Sequence, residues 1–260
     1  MNPNGSIAII PARYQSSRLP GKALRKIAGR TLIEYVYRRV ERVRGLDRLL
    51  VATDDLRIVD AVGAFGGEAV MTRADHKTGT ERLGEVAETL DDGTLVVNVQ
   101  GDEPLIEPEV IEQAIEEARA GNAEVVTLMT RLEAPEAIQD PNNVKVVTDK
   151  NGMALYFSRS PVPSSGTAFL HLGLYIYSAG FLGTLRGLDP TPLEQAERLE
   201  QLRVLEHGFR IRVVEVESRS WGIDTPADLE AFERLVVGDE EAYGKEMGGP
   251  VRSKESLHNG

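Results

Sequence analysis

The sequence predicts an α/β protein built on a doubly wound, mostly parallel sheet with a smaller sheet extension. Two observations carry that expectation. Short runs rich in Val, Ile and Leu alternate with longer amphipathic stretches as far as Asp140, the pattern of buried parallel strands joined by crossover helices. Polar, charged segments also follow two of those apolar runs directly, at the carboxyl ends of strands where open α/β sheets bind ligands.

The first strand is expected at residues 6–10. Leu32, Tyr35, Val36 and Val40 then recur on one stripe, with Arg38, Arg39 and Arg42 largely elsewhere, predicting a helix over 31–43. Strands are expected at 48–52, 68–71, 94–99 and 124–129. Residues 108–120 read as a helix, because Pro108 suits a first helical position and acidic residues follow it. Beyond Asp140 the runs at 144–148, 153–158 and 171–177 read as sheet extensions or antiparallel strands. Residues 193–207 predict one helix stopped by Gly208, 211–216 a strand, and 226–237 the last helix. The segment 238–260 has too few apolar residues to bury much surface and reads as a disordered polar tail.

Composition narrows the function. The chain has 260 residues, 41% of them hydrophobic, enough for a sizeable core. It contains no cysteine, which rules out disulfides, thiolate metal sites and a cysteine nucleophile. A formal net charge of -11 argues against general affinity for nucleic acid or anionic membrane. The early apolar run from Ile7 to Ile10 is too short for a signal-peptide core or a membrane span. A cytoplasmic, soluble protein is therefore expected.

Three segments carry chemistry. The first strand opens into a loop bearing Arg13, Ser16, Ser17, Arg18, Gly21 and Lys22, whose cations and glycine suit a polyphosphate, and which on spacing alone reads equally as a solvated basic loop. It is neither a Walker loop nor a dinucleotide fingerprint. The strand at 94–99 delivers Gln100, Gly101, Asp102 and Glu103 to its carboxyl end, where a carboxylate suits Mg²⁺ and a Gly-Asp turn is the alternative. In the third segment, Thr225 and Asp228 read as the cap of a helix that begins at Pro226. Asp224 then has no capping duty, so it is either a second metal ligand or a solvated turn residue.

Taken together, these segments resemble the 3-deoxy-manno-octulosonate cytidylyltransferases over roughly residues 7–235. The resemblance runs through Pro11-Ala12-Arg13 and Leu19-Pro20-Gly21-Lys22, Ala52-Thr53-Asp54, and Arg73-Ala74-Asp75-His76. It continues through Thr78-Gly79-Thr80-Glu81-Arg82, Gln100-Gly101-Asp102-Glu103-Pro104, Phe157-Ser158-Arg159, His171-Leu172-Gly173-Leu174-Tyr175, Leu199-Glu200-Gln201 and Asp224-Thr225-Pro226. It implies a nucleotide-diphospho-sugar transferase (GT-A-like) fold in a single domain over 1–237. The nucleotide-binding part would span about 6–140 and an acceptor-binding and dimerisation part about 141–237.

The implied reaction transfers CMP from CTP to the anomeric hydroxyl of 3-deoxy-D-manno-octulosonate (Kdo), releasing pyrophosphate, with Mg²⁺ as cofactor and a homodimer as the assembly. By the same resemblance Lys22, Asp102 and Asp224 are catalytic, and Asp102 and Asp224 hold the metal. Ala12, Arg13, Ser17, Arg18, Lys22, Thr78, Gly79 and Arg82 bind the nucleotide, with the Thr78–Arg82 segment as a loop that seats the cytidine. Gln100, Arg159, His171, Tyr175, Glu200 and Gln201 line the sugar pocket. Read from the residues alone, His171 is a core histidine, Tyr156 and Tyr177 are packing residues, and Arg159 and Glu200 form an ion pair. Leu170 before His171, where such proteins commonly place a cation, together with a short preceding loop, leaves a related acid such as 8-amino-Kdo or a nonulosonate open as acceptor. A non-catalytic nucleotide-binding homologue is the rival from another class.

Overall fold

The computed structural model describes residues 5–15, 19–218 and 222–238. In chain order the strands are β1 Ser6–Ala12, β2 Lys26–Ile27, β3 Arg30–Thr31, β4 Arg48–Thr53, β5 Ala69–Met71, β6 Leu95–Asn98, β7 Val125–Leu132, β8 Lys145–Thr148, β9 Ala154–Ser158, β10 Ala168–Ser178 and β11 Ile211–Glu215. The helices are α1 Leu32–Val40, α2 Leu56–Ala64, α3 Gly79–Ala87, α4 Pro108–Arg119, α5 Pro135–Gln139, α6 Ala179–Arg186, α7 Pro192–Glu197, α8 Gln201–Glu206 and α9 Pro226–Gly238. Apart from Gly238, the tail expected at 238–260 lies outside the described residues, as do Ser17 and Arg18.

The main sheet has the order β11-β7-β10-β6-β1-β4-β5, with β8 and β9 attached beside β10. β1 pairs in parallel with both β4 and β6. The chain therefore winds outward from β1 to β5 and then returns to β1's other side. This reversal makes the carboxyl ends of β1 and β6 a topological switch point, where neighbouring loops diverge and leave a crevice. Along β1, Ala8 and Ile10 face one layer and Ile7 and Ile9 the other, all at most 1% exposed. Such two-faced burial needs continuous apolar sequence and contributes roughly 1.5–3 kcal/mol for each fully buried large side chain.

One layer packs α1, α2 and α4 on the sheet through Val36, Val40, Ile58, Val62, Ile111 and Ile115. The opposite layer packs α3, α6 and α8 through Leu83, Val86, Leu182, Leu185 and Leu202. A third, smaller cluster joins Leu19, Leu32, Tyr35, Leu105, Ile223, Phe232 and Val236. It docks α9 against α1, with Phe232 edge-on to the Tyr35 ring at 5.2 Å between centroids. This cluster brings the end of the chain back to the switch point.

Several sequence expectations need correction. The 171–177 run, expected as a sheet extension or an antiparallel strand, is an antiparallel strand, but it lies inside the sheet and not at its edge. β10 is an 11-residue strand lying antiparallel between β6 and β7 in the middle of the sheet, so the two expected halves interleave. The helix expected over 193–207 is two helices, α7 and α8, because Arg198 adopts the left-handed conformation at φ 56° and closes α7. The Thr78–Arg82 segment is the start of α3 and not a loop. Thr78 accepts the Glu81 N–H at 3.1 Å as the N-cap. Among the described residues, no helix is long and apolar enough to cross a membrane.

Candidate active site

A cleft of about 320 Å³ opens at the switch point. Its wall includes Ala12 and Arg13 from the end of β1, Lys22 just after Gly21, Thr78, Gly79 and Arg82 around the start of α3, Gln100 and Asp102 beyond β6, and Asp224 before α9. All the nucleotide and metal candidates within the described residues thus meet in one place. Backbone geometry fixes the two loops. Gly21 sits at φ 66° and donates its N–H to Tyr14 O at 3.1 Å, closing the basic loop. Gly101 lies so close to β1 that a Cβ there would stand 3.0 Å from Pro11 O, so a side chain would force the two strand ends apart.

Asp102 and Asp224 are far apart in sequence and adjacent in space. Ile223, fully buried in the third cluster, donates its N–H to Asp102 O at 2.8 Å. That bond sets the Asp224 segment beside the end of β6. The Asp228 carboxylate then accepts the N–H groups of Asp224 at 3.0 Å and Thr225 at 2.8 Å. Burial opposes its ionisation, yet these donors hold the Asp228 carboxyl below the usual carboxylate range. The cap read from the sequence therefore also fixes the backbone of Asp224.

Lys22 lies between the two carboxylates. Its ammonium donates to Asp102 Oδ2 at 2.5 Å, Ile223 O at 2.8 Å and Asp224 Oδ1 at 3.1 Å. Two carboxylates and a carbonyl thus converge on one cationic centre. Oxygen donors in this number and of this hardness suit Mg²⁺, which takes its remaining ligands from phosphates and water. Among the described residues there is no cluster of three or more Asp, Glu or His side chains able to hold a metal. This pair would consequently bind Mg²⁺ best in company with a triphosphate.

The opposite wall is α3 and the strap at residues 72–77. Arg82 is 4% exposed and directs its guanidinium inward to Asp54 Oδ2 at 3.1 Å and to the Thr72 hydroxyl. Its edge lines the cleft, while its hydrogen bonds bind α3 to the strap. Glu81 accepts Lys77 N–H at 2.7 Å, and Glu85, one helical turn on, accepts Arg73 N–H at 3.1 Å and pairs with His76. Burial works against the Glu85 charge, but the His76 and Arg73 donors keep its carboxyl low. Sequence reading assigned no role to Asp54, His76 or Glu85. The spacing of Glu81 and Glu85 on a helix was the available signal.

The residues expected around the sugar do not converge in this cleft. Gln100 lines it and donates Nε2 to Gly173 O at 2.9 Å. Tyr175, Glu200 and Gln201 line a separate void of about 20 Å³ beneath it. Glu200 accepts the hydroxyls of Thr78 at 3.2 Å and Thr80 at 2.8 Å, linking that layer to the start of α3, and burial raises its carboxyl above the usual range. His171 packs against Phe157 and Tyr175 and meets Thr127 Oγ1 at 3.0 Å; burial lowers its pKa to about 3. Burial also raises the Tyr175 hydroxyl.

Arg159 is turned to the protein. Its Nε donates to Glu197 O at 2.9 Å and its Nη1 to Pro141 O at 3.0 Å. The expected ion pair with Glu200 is replaced by an anchor on Glu197, whose carboxylate also accepts Arg159 N–H at 2.9 Å and Ser158 Oγ at 3.0 Å.

Comparison with known proteins shows the family. The cytidylyltransferase family model matches residues 7–212. The 3-deoxy-manno-octulosonate cytidylyltransferase of Syntrophotalea carbinolica is 52% identical over 246 residues, covering 89% of this chain and 98% of that protein. The enzyme of the same description from Trichlorobacter lovleyi is 51% identical over 251 residues, covering 89% and 99%. Among solved structures, a CMP:2-keto-3-deoxy-manno-octonic acid synthetase complexed with CTP superposes with a TM-score of 0.86 at 43% identity, covering 90% of this chain and 99% of that one. A putative glucose-1-phosphate thymidylyltransferase from Bacillus anthracis, 16% identical with a TM-score of 0.68 over 94% of this chain and 100% of its own, shares the fold.

Proposed function

The chain belongs to the 3-deoxy-manno-octulosonate cytidylyltransferase family, and we propose from that premise how its cleft divides the work of transferring CMP from CTP to Kdo. The observation that carries the reading is the convergence of Asp102 and Asp224 on a cation at the switch point. The sugar's anomeric hydroxyl attacks the α-phosphorus and pyrophosphate departs, so the protein's task is alignment and charge neutralisation. Asp102 and Asp224 would hold Mg²⁺, which would offset phosphate charge and make the attacking hydroxyl more acidic.

The remaining work belongs to side chains. Arg13 and Lys22 flank the basic wall and stabilise the negative charge that collects on the pyrophosphate. Ala12, Thr78, Gly79 and the edge of Arg82 shape the nucleotide side. Gln100, at the end of β6, is the sugar-side candidate that faces the cleft, while His171, Tyr175, Arg159, Glu200 and Gln201 are held by protein contacts in the layer behind it. The link from Glu200 to Thr78 and Thr80 makes that layer responsive to the nucleotide wall. The reading extends to a cytoplasmic homodimer, supported by the resemblance to the family and checked by light scattering.

Pyrophosphate release measured with each of the four nucleoside triphosphates, several keto-acid sugars, and with or without Mg²⁺ tests the assignment. CTP with Kdo and Mg²⁺ is the expected productive set. Asp102→Asn and Asp224→Asn are each expected to lower kcat by about 10²–10³-fold with the fold intact, the scale for losing a charge-stabilising group. Near-normal turnover in either variant overturns the assignment of these two carboxylates.

A further inference from the structure

The ammonium of Lys22 has three N–H donors, and all three are engaged, by Asp102 Oδ2, Ile223 O and Asp224 Oδ1 at 2.5, 2.8 and 3.1 Å. None is left for a phosphate oxygen. The cation also stands where the two carboxylates converge, the place a divalent ion would take. We propose that Lys22 is an internal counter-ion that occupies the metal position of the nucleotide-free cleft and transfers to the triphosphate when nucleotide and metal enter together. This rests on the reading of Asp102 and Asp224 as metal ligands.

Two carboxylates aimed at one point repel each other, and an unneutralised pair would splay. A lysine held between them keeps the pair in place. The Asp228 carboxylate also lies in the Lys22 field, so a third negative group stands near the same cation. Lys22 is built to leave. It sits on a short 3-10 turn directly after Gly21, and its side chain remains 16% exposed toward the cleft. A lysine reaches alternative partners by rotating a flexible stem around a compact charge. When a triphosphate brings both a metal and a second set of oxygens, the ion pair with two carboxylates is exchanged for one with phosphate. Charge stays balanced on both sides of the exchange.

The consequence is a penalty on metal binding without nucleotide, removed when Lys22 is neutralised. The test uses Mn²⁺ alone, titrated into the nucleotide-free full-length protein, with free Mn²⁺ read by electron paramagnetic resonance. Lys22→Met is expected to bind Mn²⁺ at least about tenfold more tightly than the unmodified protein. The gain is expected to vanish in Lys22→Met combined with Asp102→Asn. Lys22→Gln, which retains a polar tip, serves if Lys22→Met does not fold by circular dichroism. Folded Lys22 variants that bind Mn²⁺ no more tightly overturn the counter-ion proposal. If Asp102→Asn still weakens Mn²⁺ binding in the CTP-saturated protein, the carboxylate assignment survives that failure. A gain that persists without Asp102 also overturns the proposal, because the new affinity then lies elsewhere. No effect of Asp102→Asn in the CTP-saturated protein overturns the ligand assignment and the proposal together.

Discussion

His171 makes a pH-dependent contribution whose sign and size follow from its surroundings. The Thr127 hydroxyl has one proton, which goes to a carbonyl, Leu174 O at 2.7 Å or Leu172 O at 3.2 Å. Its lone pair then accepts from His171 Nε2–H at 3.0 Å, making the ring the neutral Nε2–H tautomer. Burial lowers the folded pKa from 6.5 to about 3. Between those values the unfolded chain binds a proton that the native ring refuses. Stability is therefore complete above the unfolded pKa and falls as pH drops, with a slope approaching about 1.4 kcal/mol per pH unit. From pH 7 to pH 5 the loss comes to at most about 1.9 kcal/mol. It is a ceiling because His171 is only half-buried. Urea unfolding at the two pH values, for the unmodified protein and His171→Leu, isolates this residue because the other histidines cancel. The unmodified protein should lose up to that amount more than the variant. Equal losses, or a His171 nuclear magnetic resonance titration with a midpoint near 6.5, would refute the reasoning.

Two further outcomes follow from groups outside the reacting centre. Glu85→Gln removes the charge that holds His76 and the strap against α3, so KM for CTP should rise about tenfold, worth about 1.4 kcal/mol, while kcat changes little. A fall in kcat at constant KM, seen in a CTP titration, would contradict a role confined to the cleft wall. Lys145 is fully buried and donates to the carbonyls of Asp140, Asn143 and Arg159 at 3.0, 2.6 and 2.5 Å. Lys145→Met leaves these acceptors without their donor and should destabilise by about 3 kcal/mol or more in urea unfolding. A loss under about 1 kcal/mol would mean that solvent replaces the ammonium without strain.

How far the sequence could be read depends on whether an element's cause is local. β1, β4 and β6 were legible because burial on both faces demands unbroken Val, Ile and Leu. The basic loop and Asp102 were legible because they follow those strands directly. The start of α3 was also written locally, as Thr78 followed three residues later by Glu81, a helix-start signature, but the family resemblance implied a loop there instead. The break at Arg198 left no trace, since a left-handed arginine is disfavoured by its own sterics and persists only because its neighbours impose it. Lys145 is the clearest limit. A lysine in a strand reads as solvent-facing, and only the folded chain brings three carbonyls around it. Asp224 falls between these cases. Its neighbours Thr225 and Asp228 accounted for the cap and left Asp224 without a local duty, which is the residue-level sign of a non-local one. The physical source of that duty is Ile223, Phe232 and Val236 packing on Leu19, Leu105 and Tyr35. The site is assembled by a hydrophobic cluster whose members look ordinary in sequence, so the chemistry was easier to read than the packing that makes it possible.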